Sequence, residues 1–206
     1  MEKIKRKSAK VLDKQERKKN HIIWAAFNAI AKIGYINLTI DEVAKEAGVS
    51  KGVVHYYFDT KENLMLEVMF TFVQFFVVSL NFAVSPALAP TERIKGIMRF
   101  SMKIALNHKE YIRVIIDYWA QVNINVNLRD IYVFYQNQII AYIAEIIDQG
   151  KAAGEFKEVD SESAAEIILS EIGGFAIRYT WDEAATEETF ADKIESLVDT
   201  ILRIVR

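Results

Sequence analysis

Apolar residues recur every three or four positions along most of this 206-residue chain, the spacing of a buried face on an α-helix. Ile23, Phe27, Ile30 and Ile33 mark an amphipathic first helix from about residue 13, stopped by Gly34. Ile40, Val43, Ala44 and Ala47 give a short second helix. It ends at Ala47-Gly48-Val49, where Gly accepts the left-handed backbone of a sharp reversal. Thr39 is placed to cap that helix, with Glu42 three residues on to return the bond. Ser50 is placed to cap a third, carrying Lys51 to Tyr57. From Glu62 a long helix follows, with no charge between Glu67 and Glu92 and 13 apolar positions among the 17 from Val68 to Val84. A membrane span takes about 20 such residues. Thr71, Gln74, Ser79 and Asn81 interrupt this run, Pro86 and Pro90 close it, and the flanking charges show no positive-inside bias. A helix buried on most sides is the favoured reading, with membrane association as its rival.

Thr91 is placed to cap the next helix, through Ile94, Ile97, Met98, Met102 and Ala105. A break at Asn107-His108 precedes a helix over 111–121, and the Asn-rich 123–127 reads as a loop. A long helix then spans 128–153, its stripe formed by Ile131, Phe134, Tyr135, Gln138, Ile139, Tyr142 and Ile146. Ser161 is placed to cap another, with Ala165, Ile168, Leu169, Ile172 and Phe175. Thr186 or Thr189 starts the last, with Phe190, Ile194, Leu197, Val198, Ile201 and Leu202. The expected class is all-α, in two domains divided as 1–61 and 62–206.

Charge sharpens that division. Residues 1–61 hold 13 Lys/Arg against 7 Asp/Glu, a balance of +6, whereas residues 62–206 hold 13 against 21, a balance of −8. A basic first third suits a phosphate backbone, which an acidic remainder avoids. Residues 1–12 are basic and lack the apolar core of a secretory signal. They read equally as an arm along DNA or a solvated tail. The chain has no cysteine, hence no disulfide framework and no thiolate site, which suits a reducing cytoplasm.

The two short helices form a helix-turn-helix, a unit whose second helix enters the major groove of DNA. Lys51 and Gly52 stand in its first turn, nearest the bases, and His55, Tyr56 and Tyr57 follow as donors to phosphates. Thr39, Ser50, Val53 and Lys61 complete the candidate DNA-binding set. An ordinary helical hairpin with a solvated Lys51 is the plainer alternative. For an enzyme the case is thin: His21, His55 and His108 share no metal-ligand spacing, and phosphate-loop and nucleophile-elbow motifs are absent. Neither a cofactor nor a metal is expected.

The run from Gly34 to Leu64 resembles the signature of the tetracycline-repressor (TetR) family of transcriptional regulators. The resemblance rests on Gly34-Tyr35, Thr39, Val43-Ala44, Ala47-Gly48-Val49-Ser50, Gly52, Tyr57-Phe58 and Lys61-Glu62. His55 departs from it, standing where the family usually has Tyr. The resemblance implies a three-helix DNA-binding domain followed by a helical effector-binding and dimerisation domain. It also implies a cytoplasmic repressor that binds a palindromic double-stranded operator as a homodimer and is released by a small molecule. A membrane-associated helical protein and a DNA-binding activator are the alternatives kept. In the family the last two helices pair between subunits. Here their apolar faces around Ile168, Ile172, Leu197 and Ile201 are the expected interface, with Gly173-Gly174 admitting a close neighbour. An effector cavity is likewise implied, and Phe72, Phe76, Tyr118, Trp119, Phe175, Tyr179 and Trp181 are its candidate lining, suited to an apolar or cationic molecule. Glu171 or Asp182 is a candidate counter-charge. Aromatic stripes at helical spacing are more often plain core.

Overall fold

A computed structural model describes the backbone from residue 2 to 205; the side chains of residues 1–13, 81 and 206 lie outside the described residues, and with them the side chains of the basic segment 1–12. Among the described residues the elements are nine α-helices: α1 (Glu2–Ile33), α2 (Ile40–Glu46), α3 (Lys51–Tyr57), α4 (Lys61–Ala83), α5 (Pro90–Asn107), α6 (Lys109–Val122), α7 (Val126–Ala152), α8 (Ser161–Tyr179) and α9 (Glu187–Val205).

The chain forms two compact units, the first ending at Gln74 and the second beginning at Phe75. The division falls inside α4, later than residue 61, because Leu64, Met65, Val68 and Phe72 are buried and Phe72 stacks on Phe27 of α1 at 5.8 Å. Lys19 of α1 also pairs with Glu67 of α4 at 2.6 Å. Within this unit α2 packs on α1 and on α3. Thr39 Oγ1 accepts the Glu42 amide at 3.1 Å, which fixes the start of α2. Gly48, at φ +61°, makes the reversal that brings α3 back across α2. His21 Nε2 donates to the Ala47 carbonyl at 2.9 Å, tying α1 to the same turn.

In the second unit α7 lies along α8, and α5 packs against α7, α8 and α9. Ile94, Met98, Met102, Ile143, Ile146, Ile147, Ile168, Val198 and Leu202 meet in one core.

Several expected details differ, each for a local reason. Pro90, with its ring-fixed φ, occupies the first turn of α5, so Ala89 is the cap residue and not Thr91. The Thr91 amide donates instead to Glu155 Oε2 at 3.0 Å. Asn125 Oδ1 accepts the amides of Asn127 and Leu128, which starts α7 at Val126 and shortens the Asn-rich loop. Asp160 caps α8 through the Ser163 amide at 2.7 Å, and Ser161 donates its hydroxyl to Asp148 at 2.6 Å. Ser50 holds the cap position of α3 without a side-chain bond.

On α7, Phe134 and Gln138 are exposed while Leu128, Ile143, Ile146 and Ile147 are buried. Helix α4 is not buried on most sides. Only a third of its Lys61–Leu80 stretch is buried, and Phe70, Phe75, Val77 and Val78 are exposed, because one apolar face suffices for the cores it serves. That stretch has a mean hydropathy of 1.7, long and apolar enough by composition to cross a membrane.

Candidate functional site

The first candidate surface is a face of α3. Helical spacing puts Lys51, Gly52, His55 and Tyr56 on one side, and all four are exposed, Tyr56 to 72%. Val54 points the other way into the core, and Val53 and Tyr57 are half-buried. Val53 therefore sits beside this face instead of on it. Thr39 and Ser50 are exposed at the starts of α2 and α3. Gly52 answers no need inside the chain: its φ is ordinary, and an added Cβ would meet nothing nearer than Ser50 Oγ, at 3.9 Å. A helix residue without a side chain, on an exposed face, admits close approach of another molecule.

Two cations at this surface already have partners. The Lys51 ammonium pairs with Asp41 at 2.8 Å. Lys61, at the start of α4, lies 4.2 Å from the centre of the Tyr35 ring. Burial lowers the Lys61 pKa and, with Glu62 nearby, pushes the Tyr35 hydroxyl up to about 12. Lys61 is thus held against the ring. A shallow recess of about 330 Å³ between α1 and α2 is lined by Ala29, Lys32, Ile33, Glu42, Lys45 and Glu46.

The seven candidate effector residues do not form one group. Phe72 belongs to the first unit's core, stacked on Phe27. Phe76 packs on the second unit's core against Phe100, at 5.8 Å. Tyr118 and Trp119 of α6 gather with α7. Tyr118 is buried and donates its hydroxyl to the Leu128 carbonyl at 2.6 Å, and Trp119 meets Tyr132 edge-on at 6.4 Å. The Tyr118 hydroxyl is pushed up to about 12, first by burial and then by Tyr132 and Tyr135. Tyr132 and Tyr135 adjoin this group and lie outside the candidate set; Tyr135 stands one helical turn before Ile139 on the apolar stripe of α7.

Phe175 and Tyr179 form a second cluster with Phe190 of α9, at 6.4 and 4.5 Å. Trp181 stands apart, 63% exposed. Asp182 accepts the Lys109 ammonium on its carbonyl and the Ala184 amide on Oδ1, while Glu171 is half-buried. Among the described residues no group of three or more His, Cys, Asp or Glu side chains is placed to hold a metal.

On the last helices, Ile168 and Ile201 are buried in the chain's own core, and Ile172 and Leu197 pack against it. They are not the open surface. The open stripe of α8 is Ile167, Ser170, Gly174, Ile177 and, just beyond the helix, Trp181. An added Cβ at Gly173 or Gly174 meets nothing within 4 Å.

Residues 22–68 match the family described as bacterial regulatory proteins, tetR family, and residues 87–205 match the tetracyclin repressor-like C-terminal domain. The HTH-type transcriptional regulator YhgD of Bacillus subtilis is 25% identical over 88% of this chain and 94% of its own length. BetI of Brucella suis is 26% identical over 64% and 67%. Among solved structures, a TetR transcription regulator from Haloarcula marismortui superposes with a TM-score of 0.81 at 22% identity, covering 92% of this chain and 98% of its own. A transcriptional regulator from Saccharomonospora viridis, solved in complex with choline, gives 0.79 at 21%, covering 89% and 96%.

Proposed function

The chain belongs to the tetR family of bacterial transcriptional regulators, and from that premise we propose a homodimeric repressor that releases its operator when a small molecule occupies the second unit. The observation that carries the DNA half is the single exposed face of α3 holding Lys51, Gly52, His55 and Tyr56. Two such helices in a dimer with two-fold symmetry meet successive major grooves about 34 Å apart, so the operator is palindromic. The open stripe Ile167, Gly174 and Ile177 on α8, with Trp181 just beyond it, supports pairing of two copies, since small residues beside large apolar ones allow helices to approach closely.

For the effector, the cluster of Tyr118, Trp119, Tyr132 and Tyr135 favours a cationic molecule, because electron-rich ring faces attract a desolvated cation. The choline bound to the S. viridis regulator agrees with that class. Ligand favouring one conformer lowers DNA affinity by the coupling free energy between sites, about 1–3 kcal/mol. Such a protein works in the cytoplasm, where the operator is, and the exposed side of α4 is then a protein surface.

The test starts with operator selection from random duplexes, followed by binding of the selected fragment with and without choline. A two-fold symmetric sequence, a dimer in sedimentation and a choline-dependent loss of affinity support the reading. An asymmetric site bound by a monomer would overturn it, as would protein that floats with lipid vesicles and ignores DNA. Ile177→Glu, which puts a charge on the α8 stripe, should give monomer without loss of the helical fold. Response to aliphatic acids but not to choline would reassign the effector to the apolar class.

A further inference from the structure

We propose that Asp41 is a specificity-determining residue of the DNA interface, acting as a positioning residue through Lys51. The proposal rests on the reading of Lys51 as a base contact. Asp41 lies in the first turn of α2, whose start is fixed by Thr39, and Lys51 opens α3. The turn at Gly48 brings the two together, with the Lys51 ammonium 2.8 Å from Asp41 Oδ2. Their side chains are 54% and 65% exposed, so the pair sits on the open face and not in the core.

Exposed pairs of this kind are weak, which means the contact holds Lys51 without locking it. The carboxylate also places a negative charge on the surface that must approach phosphates. An ammonium has three donors, so at the operator Lys51 bonds the paired acceptors of a base edge, such as guanine O6 and N7, while still holding Asp41. On a random sequence Lys51 turns to a phosphate instead, which leaves the carboxylate unpaired beside the DNA backbone. Asp41 consequently penalises non-specific DNA more than the operator. It raises the ratio between them without touching a base.

Intact protein carrying Asp41→Asn tests this against the selected operator and a scrambled duplex of equal length, over a range of salt. The scrambled duplex should bind about fivefold tighter, the factor expected from one unit-charge interaction at a few ångström in water. The operator should change less than twofold, so that the specificity ratio narrows. Asp41→Glu, which keeps the charge, should hold the ratio near wild type, and in a Lys51→Ala background Asp41→Asn should no longer narrow it. Equal tightening of both duplexes would mean a general charge effect and would overturn the proposal. So would a narrowing that persists without Lys51. Lys51→Ala alone distinguishes the underlying reading: if it weakens every operator variant equally, Lys51 contacts phosphate only, and that reading fails whatever Asp41→Asn does.

Discussion

The Lys61 ammonium stands 4.2 Å from the centre of the Tyr35 ring, which ties the first turn of α4 to the turn after α1. This contact holds at a defined place a cation that would otherwise sweep through solvent. Defined cations make defined phosphate contacts, and each such contact releases about one counterion from DNA. Lys61→Ala should weaken operator and scrambled duplex alike and reduce the slope of log affinity against log salt by about 1. An unchanged slope would remove Lys61 from the interface. Tyr35→Leu should cost about 0.5–1 kcal/mol of folding stability, read by denaturant unfolding, as the cation–ring attraction is lost.

Gly52 separates stability from binding. A helical glycine is less favourable than alanine by up to about 1 kcal/mol, and nothing inside this chain obstructs a Cβ there. Gly52→Ala should therefore raise the melting temperature of the first unit. If DNA approaches that backbone closely, the same variant should bind operator less tightly. Unaltered binding would place the DNA away from the first turn of α3.

His55 is exposed on the same face. A ring N–H there donates to a phosphate, so His55→Ala should weaken operator and scrambled duplex to a similar degree. Unchanged binding of both duplexes would eliminate the contact.

Gly150 of α7 faces the Phe156 ring so closely that an added Cβ would collide with it. Phe156 is buried in the main core of the second unit. Gly150→Ala should thus destabilise the protein by about 1–3 kcal/mol through overpacking. Gly150→Ala combined with Phe156→Leu should recover part of that loss in thermal melts.

Arg99 grips the Glu195 carboxylate through Nε and a terminal nitrogen, at 2.7 and 2.5 Å, and this bond holds the carboxyl below its ordinary pKa. A depressed carboxylate contributes stability above its unfolded pKa and loses it as pH falls through the folded one. Acidification below about pH 4.5 should destabilise wild type more steeply than Glu195→Gln, as read by melting temperature against pH. Parallel curves would show that the pair contributes nothing.

The features legible in the sequence are those whose partners lie within a turn or two of chain. Thr39 finds the Glu42 amide three residues on, Gly48 is required by the conformation at its own position, and the face shared by Lys51, Gly52, His55 and Tyr56 follows from helical geometry alone. The number and order of the helices come from the same local periodicity. Chain beyond that range escapes it. Apolar spacing says that Phe72, Ile168 and Ile201 are buried, but not against what; packing put Phe72 on Phe27 and turned Ile168 and Ile201 into the chain's own core. It left Ile167 and Ile177, one position away from a core stripe, on the open side of α8. A helix with apolar residues on more than one stripe fits either orientation, and only the shape of its neighbours selects one. The same holds for charge: Asp41 and Lys51 look like two independent solvated residues until the turn at Gly48 brings them within hydrogen-bonding distance. The sequence therefore determined which segments are helices and which residues share the exposed face of α3. The tertiary structure decided what each side chain touches, because burial and ion pairing depend on distances between segments that no local pattern encodes.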